Sequence, residues 1–222
     1  EGPVWVGGED GHLLFSDVPG NAIFSWDGKR TTVFLAPSGY QGFPIPASLR
    51  EAGSNGLALG RGGLLIADSG TRAVARVDLA TRQKAVFAES YGGKRFNSPN
   101  DLVYGPNGDL YFTDPPFGLA RLNDDAAKEL AHNGVYRLTP AGALTLVARD
   151  LGFPNGIAGP AFYQQRSRLA KPGVQARLQY AAEQHLFADA RYRREAAELQ
   201  QGTAGNEGPG LFGYQIHQTA HR

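Results

Sequence analysis

The sequence predicts an all-β fold, a β-propeller with about three blades present and a helical C-terminal tail. The 222 residues include 30 glycines, which separate many short apolar runs, as is usual in sheet proteins. A glycine, a short apolar strand and a closing aspartate recur in "GHLLFSD" (11–17), "GGLLIAD" (62–68) and "GDLYFTD" (108–114). The closing aspartates are 51 and 46 residues apart. This spacing is the period of a propeller blade.

Two more strands are expected after each of these units. The second strand is read from "NAIFSWD" (21–27), "RAVARVD" (72–78) and "NGVYRLTP" (133–140), the first two with nearly alternating polarity. The third is read from "TTVFLA", "KAVFAE" and "LTLVAR". Consecutive antiparallel strands joined by short turns make one blade, so residues 1–159 are predicted to form the propeller part of the chain.

A short polar stretch precedes each unit at the same offset, in "EGPVW" (1–5), "SNGLA" (54–58), "SPNDL" (98–102) and "FPNGIA" (153–158). We refer to the aligned residues as the ring positions: Glu1, Asn55, Asn100 and Asn155. Equivalent positions at the start of the innermost strands face the central channel of a propeller, so four side-chain oxygens are expected to converge there. The structural alternative is that these residues only cap the strands, and for Asn55 alone we favour it.

The repeat stops after Ala158. Nine of the eleven glutamines lie beyond residue 160, among many alanines and arginines, and this composition favours helix. Residues 160–222 are therefore expected to form a helical tail, with one helix over 174–201 and a loose end. The histidine pair in "HQTAH" and the glycines of "GPGLFG" in this tail lack the context of a zinc or nucleotide site.

Composition excludes several classes of function. The chain has no cysteine, so a disulfide framework, a thiolate zinc site and a cysteine nucleophile are excluded. A net charge of +1 gives no reason to expect nucleic acid or a membrane surface as partner, and no stretch is long enough to span a membrane. The chain starts at Glu1 and has no methionine, so we expect an earlier translated start. A soluble protein of either cytoplasm or periplasm is expected.

The ring positions offer one carboxylate and three amides, with no sulfur and no nearby histidine. Such oxygen donors select a hard cation, calcium before magnesium, because calcium tolerates irregular coordination by neutral oxygens. Asp101 follows Asn100 on a strand and is expected to point away from the channel. The strand-closing residues Asp17, Asp68 and Asp114 are expected to organise the turns that follow them.

With these motifs in their order along the chain, residues 1–159 resemble the senescence-marker-protein/gluconolactonase (regucalcin-like) family. The resemblance rests on "EGPVW", "LLFSD", "SNGLA", "RFNSPNDLV", "LYFTDP", "GVYRL" and "FPNGIA". It implies a six-bladed, calcium-dependent propeller lactonase, of which this sequence would supply about the first half. Residues 160–222 do not match the family pattern.

The resemblance also implies roles for single residues. Glu1 and Asn155 would bind calcium, Asn100 would be a third ligand or a substrate contact, and Arg95 and Asn97 would contact the substrate. The family's remaining metal ligand is an aspartate from a later blade that also acts as proton acceptor. No residue of this sequence matches it, so the catalytic residue stays unassigned.

Three functions follow as hypotheses. The first is calcium-dependent hydrolysis of a sugar lactone, with the metal polarising the carbonyl and activating water. The second is a truncated, non-catalytic propeller fragment, which would be prone to form oligomers through its unclosed blade edges. The third keeps the metal site but acts on phosphotriesters.

Overall fold

The described part of the chain is built almost entirely of antiparallel strands. The computed structural model describes residues 1–8, 10–60 and 62–158. Three sheets of four strands follow one another along the chain, and each sheet has its strands in sequence order. The strands are β1 (Val4–Val6), β2 (His12–Asp17), β3 (Ala22–Trp26), β4 (Thr31–Leu35), β5 (Ser54–Gly60), β6 (Gly63–Asp68), β7 (Ala73–Val77), β8 (Lys84–Ala88), β9 (Ser90–Tyr91), β10 (Lys94–Arg95), β11 (Leu102–Tyr104), β12 (Leu110–Asp114), β13 (Asn133–Leu138) and β14 (Leu144–Leu151).

Each four-stranded sheet is one propeller blade, as the sequence predicts. Blade 1 is β1–β4, blade 2 is β5–β8 and blade 3 is β11–β14, while β9 and β10 pair as a small hairpin between blades 2 and 3. A single 3-10 turn at Leu122–Asp124 lies in the loop between β12 and β13. The helix predicted over 174–201 and the whole tail 160–222 lie outside the described residues.

The middle blade is buried on both faces because it lies between the other two. Side chains of a strand alternate between the faces of its sheet, so Leu64 and Ile66 pack toward blade 1, while Leu65 and Ala67 pack toward blade 3. In β6 every residue after Gly63 is consequently buried. This explains why "GLLIAD" is a continuous apolar run and not an alternating pattern.

Two apolar cores join the blades. Leu14, Ile23 and Phe34 of blade 1 form the first core with residues of blade 2. The second core lies between blades 2 and 3 and contains an aromatic cluster, in which the rings of Phe96, Phe112 and Tyr136 lie 5.2–5.4 Å apart. Burial of these large side chains is the main driving force for blade stacking. The opposite face of blade 1 exposes Trp5, Trp26 and Val33.

A long connection from β4 to β5 also ties the blades together. We call residues 36–53 the crossing loop, since it runs from blade 1 past blade 2 to a loop of blade 3. The backbone N–H of Arg50 donates to the Gly118 carbonyl at 2.9 Å, and Leu49 bridges to Leu119. Lys84 of blade 2 donates to the Ser38 and Gly39 carbonyls of this loop and to the Asp68 carboxylate.

The innermost strands of successive blades approach one another closely at the end where they begin, which we call the site face. A Cβ atom added at Gly2 would lie 2.6 Å from the backbone nitrogen of Leu57, and one at Gly56 would lie 2.7 Å from Cα of Asp101. The N–H of Gly56 donates to the Asn100 carbonyl at 2.7 Å. Only glycine fits at these two positions, because a side chain would push neighbouring blades apart.

No helix among residues 1–8, 10–60 and 62–158 is long and apolar enough to cross a membrane.

The Gly56→Ala variant tests this close approach. We expect its free energy of unfolding to fall by about 1–3 kcal/mol, because the added methyl group would meet the backbone and carboxylate of Asp101. Gly8→Ala is the matched control, since a Cβ there has no described atom within 4 Å. Its stability should stay within about 0.5 kcal/mol of wild type in urea unfolding. Equal stability of the two variants would contradict the close approach.

Candidate functional site

The site face brings the four ring positions side by side through contacts between successive inner strands. Gly2, next to Glu1, packs against the backbone of residues 55–57. Gly56, next to Asn55, is hydrogen-bonded to Asn100. The last link is made by Thr113, whose hydroxyl donates to the Asn155 carbonyl at 2.7 Å. The backbone thus places all four residues along one continuous series of contacts.

Asn100 is the ring residue whose side chain most clearly requires a binding partner. Its backbone N–H donates to the Thr113 carbonyl, and the residue is only 4% exposed. Its side-chain oxygen Oδ1 is buried and has no hydrogen-bond partner within the described part of the chain. A buried acceptor without a donor costs about 1–3 kcal/mol, so this atom fits a bound cation well.

The other three ring positions differ from one another in exposure. Glu1 and Asn155 are exposed, so their side chains are free to turn toward a ligand, whereas Asn55 is buried in β5. No three histidine or acidic side chains in residues 1–8, 10–60 and 62–158 group into a metal site by themselves. Any cation at the ring would therefore depend on amide oxygens as well as carboxylates, as the donor set in the sequence implies.

Asp101 does not point away from the site, and that expectation is wrong. Its carboxylate is buried among the inner strands, where it accepts the N–H groups of Ile157 at 2.9 Å and Leu102 at 2.8 Å. Burial raises the pKa of Asp101 to about 6, although these two donors lower it, and the charge of Glu1 raises it further. Asp101 thus holds the segment that carries Asn155.

The sequence contains a signal for this role. In the other three repeats the residue after the ring position is glycine, at Gly2, Gly56 and Gly156, and only the third repeat has an aspartate. The Asp101 carboxylate occupies the space above Gly56 and lies 3.8 Å from where a Cβ of Gly156 would be. The Asp101 side chain therefore lies beside the glycines of two neighbouring repeats. The alternation of side chains along a strand does not predict this placement.

The predicted substrate contacts Arg95 and Asn97 are placed differently from each other. Arg95 is exposed at the site face, and its guanidinium donates to the Thr71 carbonyl at 3.0 Å. Asn97 is fully buried, and its amide nitrogen donates to the carbonyls of Asp114 and His132. The Asn97 amide group therefore holds two loops together, and Arg95 is the better placed of the two to reach a ligand.

The strand-closing aspartates are not all alike. Asp17 and Asp68 accept N–H groups of the turns that follow them, from Gly20 and Thr71 respectively, as expected. Asp114 instead accepts the N–H groups of Asn97 and Ser98, both at 2.9 Å, so it holds the preceding loop and not the following turn. Burial raises the pKa of Asp114 to about 7.

Two further features of the site face were not predicted. Phe117 and Phe153 stack with ring centroids 5.8 Å apart and an interplanar angle of 10°, and Phe153 is 46% exposed. They lie in the loops that follow β12 and precede Asn155, so we call them the aromatic rim. Glu51 of the crossing loop lies at the same end of the blades, and its buried Oε2 atom lacks a described hydrogen-bond partner.

The fold is that of a β-propeller, and the ring positions follow one another at the end where its inner strands begin. A family model described as the SMP-30/Gluconolactonase/LRE-like region matches residues 1–161. The chain therefore belongs to this family. The match ends close to residue 159, where the repeat pattern stops.

Individual relatives agree with this assignment. A gluconolactonase of Zymomonas mobilis is 51% identical over 182 residues, covering 78% of this chain and 50% of the relative. The structure of a gluconolactonase from Xanthomonas campestris superposes with a TM-score of 0.58 at 36% identity, over 72% of this chain and 50% of that one. A candidate gluconolactonase gives a TM-score of 0.60 at 31% identity, over 72% and 51%. The chain spans about half the length of these relatives.

The pH dependence of stability tests the environment of Asp114. Its pKa of about 7 in the folded state lies above its ordinary value of 3.8, so the folded protein favours the protonated form. This contribution to stability is complete at low pH and is lost as the pH rises from about 4 to about 7. The stability of wild type relative to Asp114→Asn should therefore decrease over this range, as measured by urea unfolding.

Asp17→Asn is the matched control, because it removes the equivalent aspartate of the first repeat from an exposed site. A stability difference between wild type and Asp114→Asn that does not change with pH, or that increases from pH 4 to pH 7, would contradict this description of Asp114.

Proposed function

We propose that this chain carries the calcium-binding part of a sugar-lactone hydrolase, with Glu1, Asn100 and Asn155 as cation ligands. The observation that carries the proposal is the Oδ1 atom of Asn100, which is buried and has no hydrogen-bond partner among the described residues. Membership of the family supports the reaction class, and the relatives described as gluconolactonases support a lactone as substrate.

The three proposed ligands contribute different donor groups. Glu1 supplies negative charge, while Asn100 and Asn155 supply neutral oxygens, a combination that suits calcium better than zinc. A bound calcium ion would polarise the lactone carbonyl and stabilise the negative charge that develops on its oxygen. Asp101 and Thr113 keep the Asn155 segment beside Asn100 through their bonds to Ile157 and Asn155.

The rest of the site face would bind and orient the substrate. Arg95 is exposed and its guanidinium donates only one described hydrogen bond, so the remaining guanidinium N–H groups are available for the hydroxyl or ring oxygens of a sugar lactone. Phe153 of the aromatic rim lies two residues before Asn155, and the rim offers a flat apolar surface to the C–H groups of the sugar ring.

Hydrolysis of glucono-δ-lactone tests the proposed function. Turnover should require calcium, disappear with a chelator and fall about 100-fold in Glu1→Gln and Asn100→Ala, because the first variant removes the negative charge of a ligand and the second removes a ligand oxygen. Asn107→Ala is the control, since Asn107 lies in the turn between β11 and β12 at the opposite end of the same blade. Release of acid in a pH-stat assay measures all of these.

The other hypotheses give different results in the same assay. A folded chain without calcium-dependent lactone turnover would refute the proposal, and oligomers on a sizing column would then favour the non-catalytic fragment. The exposed apolar face of blade 1, with Trp5 and Trp26, is the surface through which such oligomers would form. Calcium-dependent turnover of a phosphotriester that exceeds lactone turnover would favour the third hypothesis.

Phe153→Ala tests the aromatic rim. We expect KM for the lactone to rise about 5- to 10-fold with little change in kcat, because the ring contributes apolar contact to bound substrate and transition state alike. The control is Phe43→Ala, a phenylalanine of the crossing loop that is 96% exposed. An unchanged KM in Phe153→Ala, or an equal rise in both variants, would contradict a role of the rim in binding.

A further inference from the structure

The crossing loop holds Glu51 firmly at the site face. On one side, the N–H of Arg50 donates to the Gly118 carbonyl of blade 3 at 2.9 Å. On the other side, the Ala52 carbonyl accepts the N–H of Tyr40 at 2.7 Å, and the N–H of Gly53 donates to Val18 of blade 1 at 3.0 Å. Glu51 is thus fixed between backbone bonds to two different blades, and its position does not depend on a flexible loop.

The groups around Glu51 are ring residues or are hydrogen-bonded next to them. Its carboxylate lies near the side chains of Ser69 and Asn55, and it senses the charge of Glu1. The hydroxyl of Ser69 donates to the carbonyl of Pro99, the residue before Asn100, at 3.0 Å. Glu51 therefore lies beside the ring positions of the first three repeats.

One oxygen of the Glu51 carboxylate lacks a donor among the described residues. This oxygen, Oε2, has no solvent-exposed surface and no hydrogen-bond partner in the described part of the chain. The hydroxyl of Ser69 lies close to the carboxylate and donates to the Pro99 carbonyl at 3.0 Å, so its one proton is not directed at Oε2. Burying a carboxylate oxygen in this way is costly unless a proton or a cation compensates it.

Glu51 Oε2 and Asn100 Oδ1 both lack a hydrogen-bond donor among the described residues. An ionised carboxylate and an amide oxygen are both acceptors, so they cannot hydrogen-bond to each other. A cation between them would satisfy both atoms at once. Glu51 would also add a second negative charge to the three ligands proposed from this chain, Glu1, Asn100 and Asn155. Calcium affinity depends strongly on the number of charged ligands, so this second charge would be significant.

We propose that Glu51 is a further ligand of the cation at the ring, and that it supplies a carboxylate in addition to that of Glu1. This inference rests on the proposed function, because it requires that the ring binds a cation. It adds a ligand from the connection between blades 1 and 2, outside the repeated motifs that carry the other ligands.

Calcium binding to the full chain tests the inference without relying on catalysis. Isothermal titration with calcium should give one site in wild type, and the affinity should fall at least about tenfold in Glu51→Gln. Glu51→Asp withdraws the carboxylate by one methylene and should also bind calcium more weakly than wild type. Glu89→Gln, which removes an exposed carboxylate after β8, is the control and should stay within about twofold.

The outcomes separate this inference from the proposed function. If wild type binds calcium and both Glu51 variants bind it equally well, Glu51 is not a ligand, and only this inference fails. If wild type does not bind calcium, the proposed function and this inference both fail. Circular dichroism shows whether each variant is folded, and if Glu51→Gln does not fold, the affinity of Glu51→Asp decides.

Discussion

The close approach of successive inner strands is the constraint on which the rest of the site depends. Gly2 and Gly56 let the backbone of one blade touch that of the next, and the bond from Gly56 to the Asn100 carbonyl fixes the distance between blades 2 and 3. The apolar cores on either side of blade 2 supply the driving force, but they do not set the register at the site face. The ring positions of successive repeats follow one another at the site face because these backbones touch.

The site face combines well-satisfied acceptors with orphaned ones. The carboxylates of Asp101 and Asp114 each accept two backbone N–H groups, and these bonds fix the loops around the ring. The oxygens of Asn100 and Glu51 are buried without described donors. These two oxygens thus differ from the carboxylates of Asp101 and Asp114 in lacking a partner among the described residues. In our proposal, calcium compensates the oxygens that the fold leaves without a donor.

The repeated features of this protein were predictable from the sequence, and the unrepeated ones were not. The period of the closing aspartates predicted the blades, and the aligned stretches around Asn55 and Asn100 predicted neighbouring strand starts, because equivalent residues of a repeat occupy equivalent places. The partners of Asp114 were missed, since Asn97 and Ser98 lie on the preceding loop. Glu51 was also missed because the crossing loop has no counterpart in the other repeats. The position of the crossing loop follows from the bond between Arg50 and Gly118, which is distant in sequence.

The dependence of thermal stability on calcium tests the central claim most directly, because a cation bound only to the folded ring must stabilise it. At a calcium concentration about 100 times the dissociation constant, stability should increase by about 2.7 kcal/mol, which raises the melting temperature by several degrees. The account predicts this rise in wild type and its loss in Asn100→Ala. A melting temperature that calcium leaves unchanged, or raises equally in wild type and Asn100→Ala, would contradict a cation site at the ring.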